Sequence, residues 1–106
     1  MFKAALIPAL LVVTSTATPA LAAPREFTVT MANMSYSGLP KDAKVGDTIV
    51  WTNRDTVPHT ATAKDKSFDA RVAAGKSQKT VLTKAGTIAI FCIYHPQMRG
   101  TLKVGA

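Results

Sequence analysis

Residues 87–98 have the sequence TIAIFCIYHPQM. The first half of this stretch is apolar on both faces and rich in β-branched residues, which predicts a strand at the centre of a sheet. Because side chains alternate along a strand, Ile88, Ile90 and Cys92 are expected to point together into the core. The only cysteine of the chain therefore stands where a buried strand passes into a loop.

Short runs of similar character recur along the chain and are separated by Gly, Pro, Asn and Asp. In one of them Ile49 and Trp51 share a face, and no helical period of useful length is present. We predict strands at residues 27–31, 48–53, 78–83, 87–92 and 102–104, and leave residues 64–74 open between a loop and a short irregular strand. The pattern predicts an all-β chain folded as a sandwich or a barrel.

Residues 1–22 have the features of a secretory signal peptide. Lys3 gives a positive start, residues 4–13 form an apolar run, and the small-x-small pattern Ala20-Leu21-Ala22 offers a cleavage site before Ala23. A membrane anchor is the alternative, but an apolar run of about ten residues is shorter than the roughly 20 needed to span a bilayer. We therefore predict export, to the periplasm in a bacterium, and a mature domain over residues 23–106.

Size and charge narrow the class of protein. A mature chain of 84 residues is enough for one small domain with a marginal core. The whole chain carries a net charge of +7, and its basic residues are scattered rather than gathered in one run. An exported chain without an aromatic and basic platform is not expected to bind nucleic acid. A basic surface suits docking to an acidic protein partner, or simply keeps a monomer soluble after processing.

Soft and borderline metal ligands are concentrated at four positions. Cys92, His95 and Met98 are spaced three residues apart, so one tight loop, stiffened by Pro96, has to turn them onto one point. His59 is the only other histidine of the chain and must come from another strand end. Two imidazoles, one thiolate and one thioether suit copper that cycles between Cu(II) and Cu(I), with Met98 as a weak axial ligand.

Other interpretations of these residues are weaker. A single buried Cys or Met is more often core filler than a ligand, but every Cys and His of the chain falls at these positions. Zinc would take more thiolates in a structural site, or a water in place of Met98 in a catalytic one. Cys92 with His95 resembles a nucleophilic pair, yet no oxyanion-hole or substrate-pocket motif accompanies them. We therefore predict a copper protein that is not an enzyme.

Short motifs lie along nearly the whole mature chain. The ligand loop has the spacing Cys-x2-His-x2-Met and continues into Arg99-Gly100. Further motifs are Met34-x-Tyr36, KVGDT at residues 44–48, Trp51-x-Asn53-Arg54, Pro58-His59 and Ala85-Gly86-Thr87. In these motifs the chain resembles the cupredoxins, the plastocyanin-like type 1 blue copper proteins, and above all their amicyanin-type members.

The resemblance implies a Greek-key β-sandwich that holds one type 1 copper ion at one end. It implies His59, Cys92 and His95 as equatorial ligands and Met98 as the axial one. The implied function is the transfer of single electrons between redox partners, with an amine dehydrogenase as donor and a c-type cytochrome as acceptor. A periplasmic copper-handling protein, which would buffer or deliver the metal with the same ligands, is the alternative.

Two positions depart from the pattern of that family. It usually has Asn after the first histidine and Ser or Thr after the cysteine, and these side chains tie the two ligand loops together. Here the positions are occupied by Thr60 and Ile93, so the surroundings that tune potential and loop rigidity are expected to differ. The expected docking patch includes four residues: Met34, Pro58, Pro96 and Met98.

Overall fold

The structure is a computed structural model that describes residues 8–9, 11–12 and 23–106. Residues 23–106 contain nine strands: β1 Glu26–Ala32, β2 Ser35–Ser37, β3 Ala43–Lys44, β4 Thr48–Asn53, β5 His59–Ala63, β6 Asp69–Val72, β7 Ser77–Val81, β8 Gly86–Phe91 and β9 Arg99–Gly105. The predicted signal peptide falls almost entirely outside the described residues. Among the residues that are described, no helix is long and apolar enough to cross a membrane.

The nine strands form two sheets. The first has the order β2-β1-β4-β7 and the second the order β3-β9-β8-β5-β6. Strands β1 and β4 run parallel, as do β3 and β9, and the remaining pairs are antiparallel. The sequence pattern left a sandwich and a barrel open, and these two sheets form a sandwich, the Greek-key β-sandwich that the family resemblance implied.

The core lies between the sheets and is supplied by alternating residues. Val29 and Met31 of β1 and Ile49 and Trp51 of β4 are fully buried, whereas Thr28 is exposed. The indole of Trp51 donates a hydrogen bond to Oγ1 of Thr80 at 2.9 Å, so its one polar atom is satisfied. Burying an aromatic side chain of this size contributes a large share of the stability of so small a domain.

The second sheet has β8 at its centre, as its two-sided apolar pattern predicted. Ile88, Ile90 and Cys92 face inward and are buried, while β9 and β5 flank the strand. The boundaries of the predicted strands shift by up to three residues, since β7 covers Ser77–Val81 rather than residues 78–83 and β9 covers Arg99–Gly105 rather than 102–104. Strands β2, β3 and β5 were not predicted. The segment that was left open, residues 64–74, contains the short strand β6.

Three loops between strands meet at one end of the sandwich. Strands β1 and β4 end side by side, with Met31 opposite Asn53. Strand β5 starts from this end at His59, and β8 arrives there just before Cys92. Consequently the β1–β2 turn, the β4–β5 loop and the β8–β9 loop meet where the candidate ligands lie.

Candidate metal centre

Three of the four predicted ligands converge at this end of the sandwich. Sγ of Cys92 lies 3.8 Å from Nδ1 of His59 and 3.7 Å from Nδ1 of His95. The three ligand atoms all lie within 4.8 Å of one another. Cys92 and His59 are fully buried and His95 is partly exposed, so the group opens to solvent through a single imidazole.

The spacing of these atoms fits a metal at their centre. Bonds of about 2.05 Å to nitrogen and 2.3 Å to sulfur, as in zinc sites, separate N and S by about 3.8 Å when the angle between them is 120°. The observed separations of 3.7 and 3.8 Å match that value. Two imidazoles and one thiolate are donors of a blue copper centre.

The β8–β9 loop reaches this geometry by two successive tight turns. The amide of His95 donates to the carbonyl of Cys92 at 3.3 Å, and the amide of Met98 donates to the carbonyl of His95 at 2.8 Å. The amide of Cys92 donates to the carbonyl of Met98 at 3.0 Å and closes the loop. Met98 is 3% exposed and belongs to the buried apolar cluster of the core.

Asp55 fixes the orientation of His59. Nε2 of His59 lies 2.7 Å from Oδ2 of Asp55, and an ionised carboxylate can only accept, so Nε2 carries the proton. In the neutral ring the other nitrogen, Nδ1, then has the lone pair, and this atom faces Sγ of Cys92. Hydrogen bonds from His59, Met34 and Asn33, in that order, hold the pKa of Asp55 below its ordinary value. A carboxylate behind a ligating imidazole is a frequent feature of metal sites.

Comparison with known proteins agrees with this geometry. The family model described as a cupredoxin-like domain matches residues 3–104. The chain belongs to the cupredoxin-like family. Amicyanin from Paracoccus denitrificans is 33% identical over an alignment of 82 residues, which covers 72% of this chain and 63% of that relative. The match thus spans a little less than two thirds of the relative's length.

Solved structures of amicyanin have the same fold as this cupredoxin. A methionine-to-alanine variant in its Cu(I) state aligns with a TM-score of 0.65 and 29% identity, over 74% of this chain and 81% of the other. A second such variant, also in the Cu(I) form, aligns with a TM-score of 0.66 and 31% identity, over 77% and 84% of the two chains. Together with the donor set, these relatives support one type 1 copper as the cofactor of this cupredoxin.

Thr60 ties the two ligand loops together in this cupredoxin. Its amide donates to Sγ of Cys92 at 3.3 Å. Its Oγ1 accepts from the amide of Ile93 at 2.9 Å. Thr60 and Ile93 are the two positions that depart from the pattern of the family, and in the structure they are hydrogen-bonded to each other. A backbone amide at Ile93 supplies the donor that its side chain lacks.

A polar chain extends from Thr60 across the outer face of the second sheet. Oγ1 of Thr60 lies 2.9 Å from Oγ1 of Thr62, which donates to Asp69 at 2.8 Å. Asp69 in turn accepts from Arg71 at 3.3 Å. The pKa of Arg71 is raised first by this bond to Asp69 and then by Tyr94. The chain therefore leads back to the ligand loop.

Tyr36 supports Thr60 from the first sheet. Its hydroxyl donates to the carbonyl of Thr60 at 2.5 Å, and its ring packs edge-on against Trp51 with centroids 6.3 Å apart. Burial raises the pKa of Tyr36, and the nearby Cys92 raises it further. The phenol therefore stays protonated and keeps donating over the ordinary pH range.

The exposed surface around His95 differs in part from the patch expected from sequence. Met34 is 43% exposed, and Pro58 and Pro96 are exposed as well. Met98 is buried instead and packs in the core cluster, so that part of the expectation is wrong. The apolar rim, as we call the exposed side chains at this end, consists of Met34, Val57, Ile93 and Tyr94.

Proposed function

We propose that this cupredoxin is an exported one-electron carrier whose copper is held by His59, Cys92, His95 and Met98. The observation that carries the proposal is the convergence of two imidazole nitrogens on the buried thiol of Cys92 at 3.7 and 3.8 Å. When bound there, the copper supplies a one-electron couple between Cu(II) and Cu(I). The side chain of Met98, which is buried beside the loop, completes the proposed set.

The residues around the proposed ligands favour a site whose geometry changes little between Cu(II) and Cu(I). Asp55 fixes the ring of His59, and the amide of Thr60 supports the sulfur of Cys92. Cys92 and His59 are shielded from water by complete burial. A rigid, preorganised donor set lowers the reorganisation that accompanies a change of charge. Rapid exchange of electrons with a partner depends on this low reorganisation and does not require catalytic groups. The proposed function therefore includes no enzymatic activity.

His95 is the point of access in this proposal. It is the one member of the converging triad that is partly exposed, and the apolar rim lies around it. The arginines near this end include Arg54, Arg71 and Arg99, all of which are exposed. An apolar centre with a cationic border suits brief docking to an acidic redox protein.

Partner and location follow from the family resemblance and the leader. An amine dehydrogenase is the proposed donor and a c-type cytochrome the proposed acceptor. The signal-peptide features of residues 1–22 support delivery to the periplasm. A small chain that meets its partners one after another is expected to work as a monomer.

Loading the protein with Cu(II) tests the proposal. We expect an intense visible thiolate-to-copper band, reversible one-electron voltammetry, and retention of the metal through many cycles. Cys92→Ala should abolish the band, while Ser67→Ala, a change away from the ligands, should leave it in place. A colourless complex, or one that gives up copper to a mild chelator between cycles, would instead indicate copper handling and would overturn the carrier proposal.

A further inference from the structure

A large groove lies at the end of the sandwich opposite the candidate ligands. Its volume is about 1190 Å³, and it is lined by the residues before β1, the segment around β3, the start of β8 and the end of β9. Strand β8 begins at Gly86, which lines the groove, and ends at Phe91, the residue before Cys92. Because each residue of a strand advances about 3.3 Å, the groove lies about 20 Å from the thiol of Cys92.

In the described part of the chain, four cationic side chains line this groove: Arg25, Lys41, Lys44 and Lys103. Lys44 of β3 is paired with Gly105 of β9, and Lys103 stands two residues before Gly105. Side-chain alternation therefore puts Lys44 and Lys103 on the same outer face of the second sheet, where both are exposed. Nζ of Lys41 donates to the carbonyl of Thr101 at 2.7 Å, which holds a third ammonium group beside the same strand.

The charges of the three lysines are not compensated within residues 23–106. The groove has two acidic side chains among these residues, and Arg25 engages both, Asp42 at 3.2 Å and Asp47 at 3.6 Å. Among the ion pairs in the same part of the chain, none includes a lysine of the groove. The lysines are therefore left to attract an anionic partner, most strongly at low ionic strength.

Apolar side chains lie among these cations. Val45 is 44% exposed and Pro24 is exposed as well, and both line the groove. Ala23, the first residue after the predicted leader, lines it too, so a leader held by the export machinery would bring the domain to the membrane with this end first. Cations mixed with exposed apolar side chains are typical of surfaces that bind anionic lipid headgroups.

From these observations we propose that the groove end of the sandwich is a membrane-docking surface, which binds the phosphates of anionic phospholipid headgroups through Lys41, Lys44 and Lys103. This proposal rests on the exported carrier described above. Val45 contacts the apolar layer below the headgroups. A redox protein fits the groove poorly, because it would dock about 20 Å from the thiol of Cys92. A docked bilayer instead leaves the copper end and the apolar rim directed away from the membrane, free to meet redox partners.

Vesicle binding by the exported, processed and copper-loaded protein tests the proposal. We expect the protein to sediment with vesicles of phosphatidylcholine and phosphatidylglycerol at low ionic strength, and not with vesicles of phosphatidylcholine alone. Binding should be lost at about 1 M salt, where the screening length is about 3 Å. Equal sedimentation with both kinds of vesicle, or with neither, would overturn the proposal.

Single-lysine variants locate the surface. Lys44→Gln and Lys103→Gln should each lower the partition coefficient for the anionic vesicles about fivefold. Lys76→Gln is the matched control, because it removes one exposed charge close to Asn53, whose amide donates to the carbonyl of Lys76 near the ligand end. It should change the coefficient less than about twofold. Equal losses in all three variants would show that the vesicles sense only net charge, and would overturn the proposal.

A paramagnetic lipid tests the orientation. The Cu(I)-loaded protein is mixed with anionic vesicles that contain a small fraction of lipid with a gadolinium-chelating headgroup, while amide signals are followed by NMR. We expect selective broadening at Lys44, Val45 and Lys103, before any effect at Met34 or Tyr94. Broadening that begins at the apolar rim would mean that the copper end faces the bilayer, and would overturn the proposal.

Soluble anions separate the membrane from other occupants of the groove. Inorganic phosphate and polyaspartate are titrated separately into the Cu(I)-loaded protein, and neither should displace it from the anionic vesicles at the ionic strength that allows binding. Displacement by polyaspartate alone would indicate an acidic protein as the occupant, and displacement by phosphate would indicate a site for the free anion. Either result would overturn the proposal of a membrane surface.

Failure of the docking surface can be told apart from failure of the proposed function. If no processed protein is recovered from the periplasm, the proposed export fails, and the docking surface fails with it. If the processed protein gives reversible voltammetry but does not bind anionic vesicles, the docking surface alone fails and the carrier proposal stands.

Discussion

Thr60 donates its backbone amide to the sulfur of Cys92 at 3.3 Å, across the boundary between two ligand loops. The same residue accepts the amide of Ile93 on its hydroxyl at 2.9 Å. Thr60, which directly follows His59, is thereby bound to two consecutive residues of the β8–β9 loop, Cys92 and Ile93. The distance between the buried imidazole and the thiol is set by these contacts as well as by the ligands themselves.

Thr60→Val should loosen this connection while preserving side-chain volume. The amide of Ile93 loses its acceptor, so the free energy of unfolding should fall by about 1–2 kcal/mol. Cu(II) should also be released faster to a chelator, because the loop opens more often. The visible thiolate band should change little, since the backbone amide that faces Cys92 is kept. Denaturant unfolding and stopped-flow chelation measure the two effects.

The matched control for that variant is Thr62→Val. It breaks the next link of the polar chain, to Asp69, but keeps the bond between Thr60 and Ile93. Copper release should stay close to that of the unaltered protein. Equal rates for the two variants would mean that the hydroxyl of Thr60 does not hold the ligand loops together.

The inward-facing residues of the central strand were predictable because their pattern is local. Ile88, Ile90 and Cys92 alternate in a run of apolar residues, and one strand period determines which of them face the core. The grouping of His59 with Cys92 was predictable from residue chemistry, since all the Cys and His of the chain had to serve one site. Strand β6 was not predictable in the same way, because its exposed residues give it a weak pattern and its pairing with β5 is a tertiary contact.

The supporting residues of the site could not be found by pattern. Asp55 precedes His59 by four residues, a spacing that in a loop carries no geometric meaning until the chain folds. Asp55 is held in place because it accepts hydrogen bonds from the amides of Asn33 and Met34. These two residues form the β1–β2 turn, which is distant from Asp55 in the sequence. The burial of Met98 likewise depends on two backbone turns that the sequence does not specify. A carboxylate near a predicted histidine ligand was the one available signal.

Asp55→Asn should weaken copper binding without removing a ligand. The amide group keeps one acceptor oxygen for three donors, so the ring of His59 is no longer fixed with Nδ1 toward Cys92. We expect copper affinity to fall about 10–100-fold. Competition with a chelator of known affinity measures the change. Asp42→Asn removes an exposed carboxylate on the opposite side of the fold and should leave the affinity unchanged, whereas equal losses would exclude a specific role for Asp55.

Asn33 and Met34 allow a separate test of the same carboxylate. Both residues have left-handed backbone conformations, with φ of 52° and 60°, which are unfavourable for residues other than glycine. Asn33→Gly should relieve part of this strain and stabilise the turn when Asp55 is intact. The gain should be larger in the Asp55→Asn background, because the turn then lacks its acceptors. Thermal unfolding of the unaltered protein, the two single variants and the double variant measures the gain in stability. Strictly additive effects would show that Asp55 does not support the turn.

Removal of copper should lower the stability of the fold by a measurable amount. A ligand that binds only the native state, at a free concentration a thousandfold above its Kd, adds about 4 kcal/mol. For a domain of this size that corresponds to a rise in Tm of more than about 10 °C. Calorimetry of the loaded and metal-free proteins should show this difference, and it should vanish in Cys92→Ala. A loaded Cys92→Ala that still melts at the higher temperature would mean that the thiol is not a ligand.

Asp47 should make the stability of the metal-free protein fall in acid. Its carboxylate is 4% exposed and accepts the amides of Arg25 at 2.8 Å and Lys44 at 2.9 Å. These bonds, that of Arg25 first, hold its pKa below the ordinary value. A carboxyl group with a lowered folded pKa contributes stability above its unfolded pKa of about 3.9, and that contribution is lost as pH falls toward the folded pKa. Asp47→Asn should therefore be less stable than the unaltered protein at pH 7, and the gap should narrow progressively below about pH 4. Denaturant unfolding at several pH values checks this expectation, with Glu26→Gln, whose exposed carboxylate pairs with Lys79, as the control. A gap independent of pH would rule out a titrating role for Asp47.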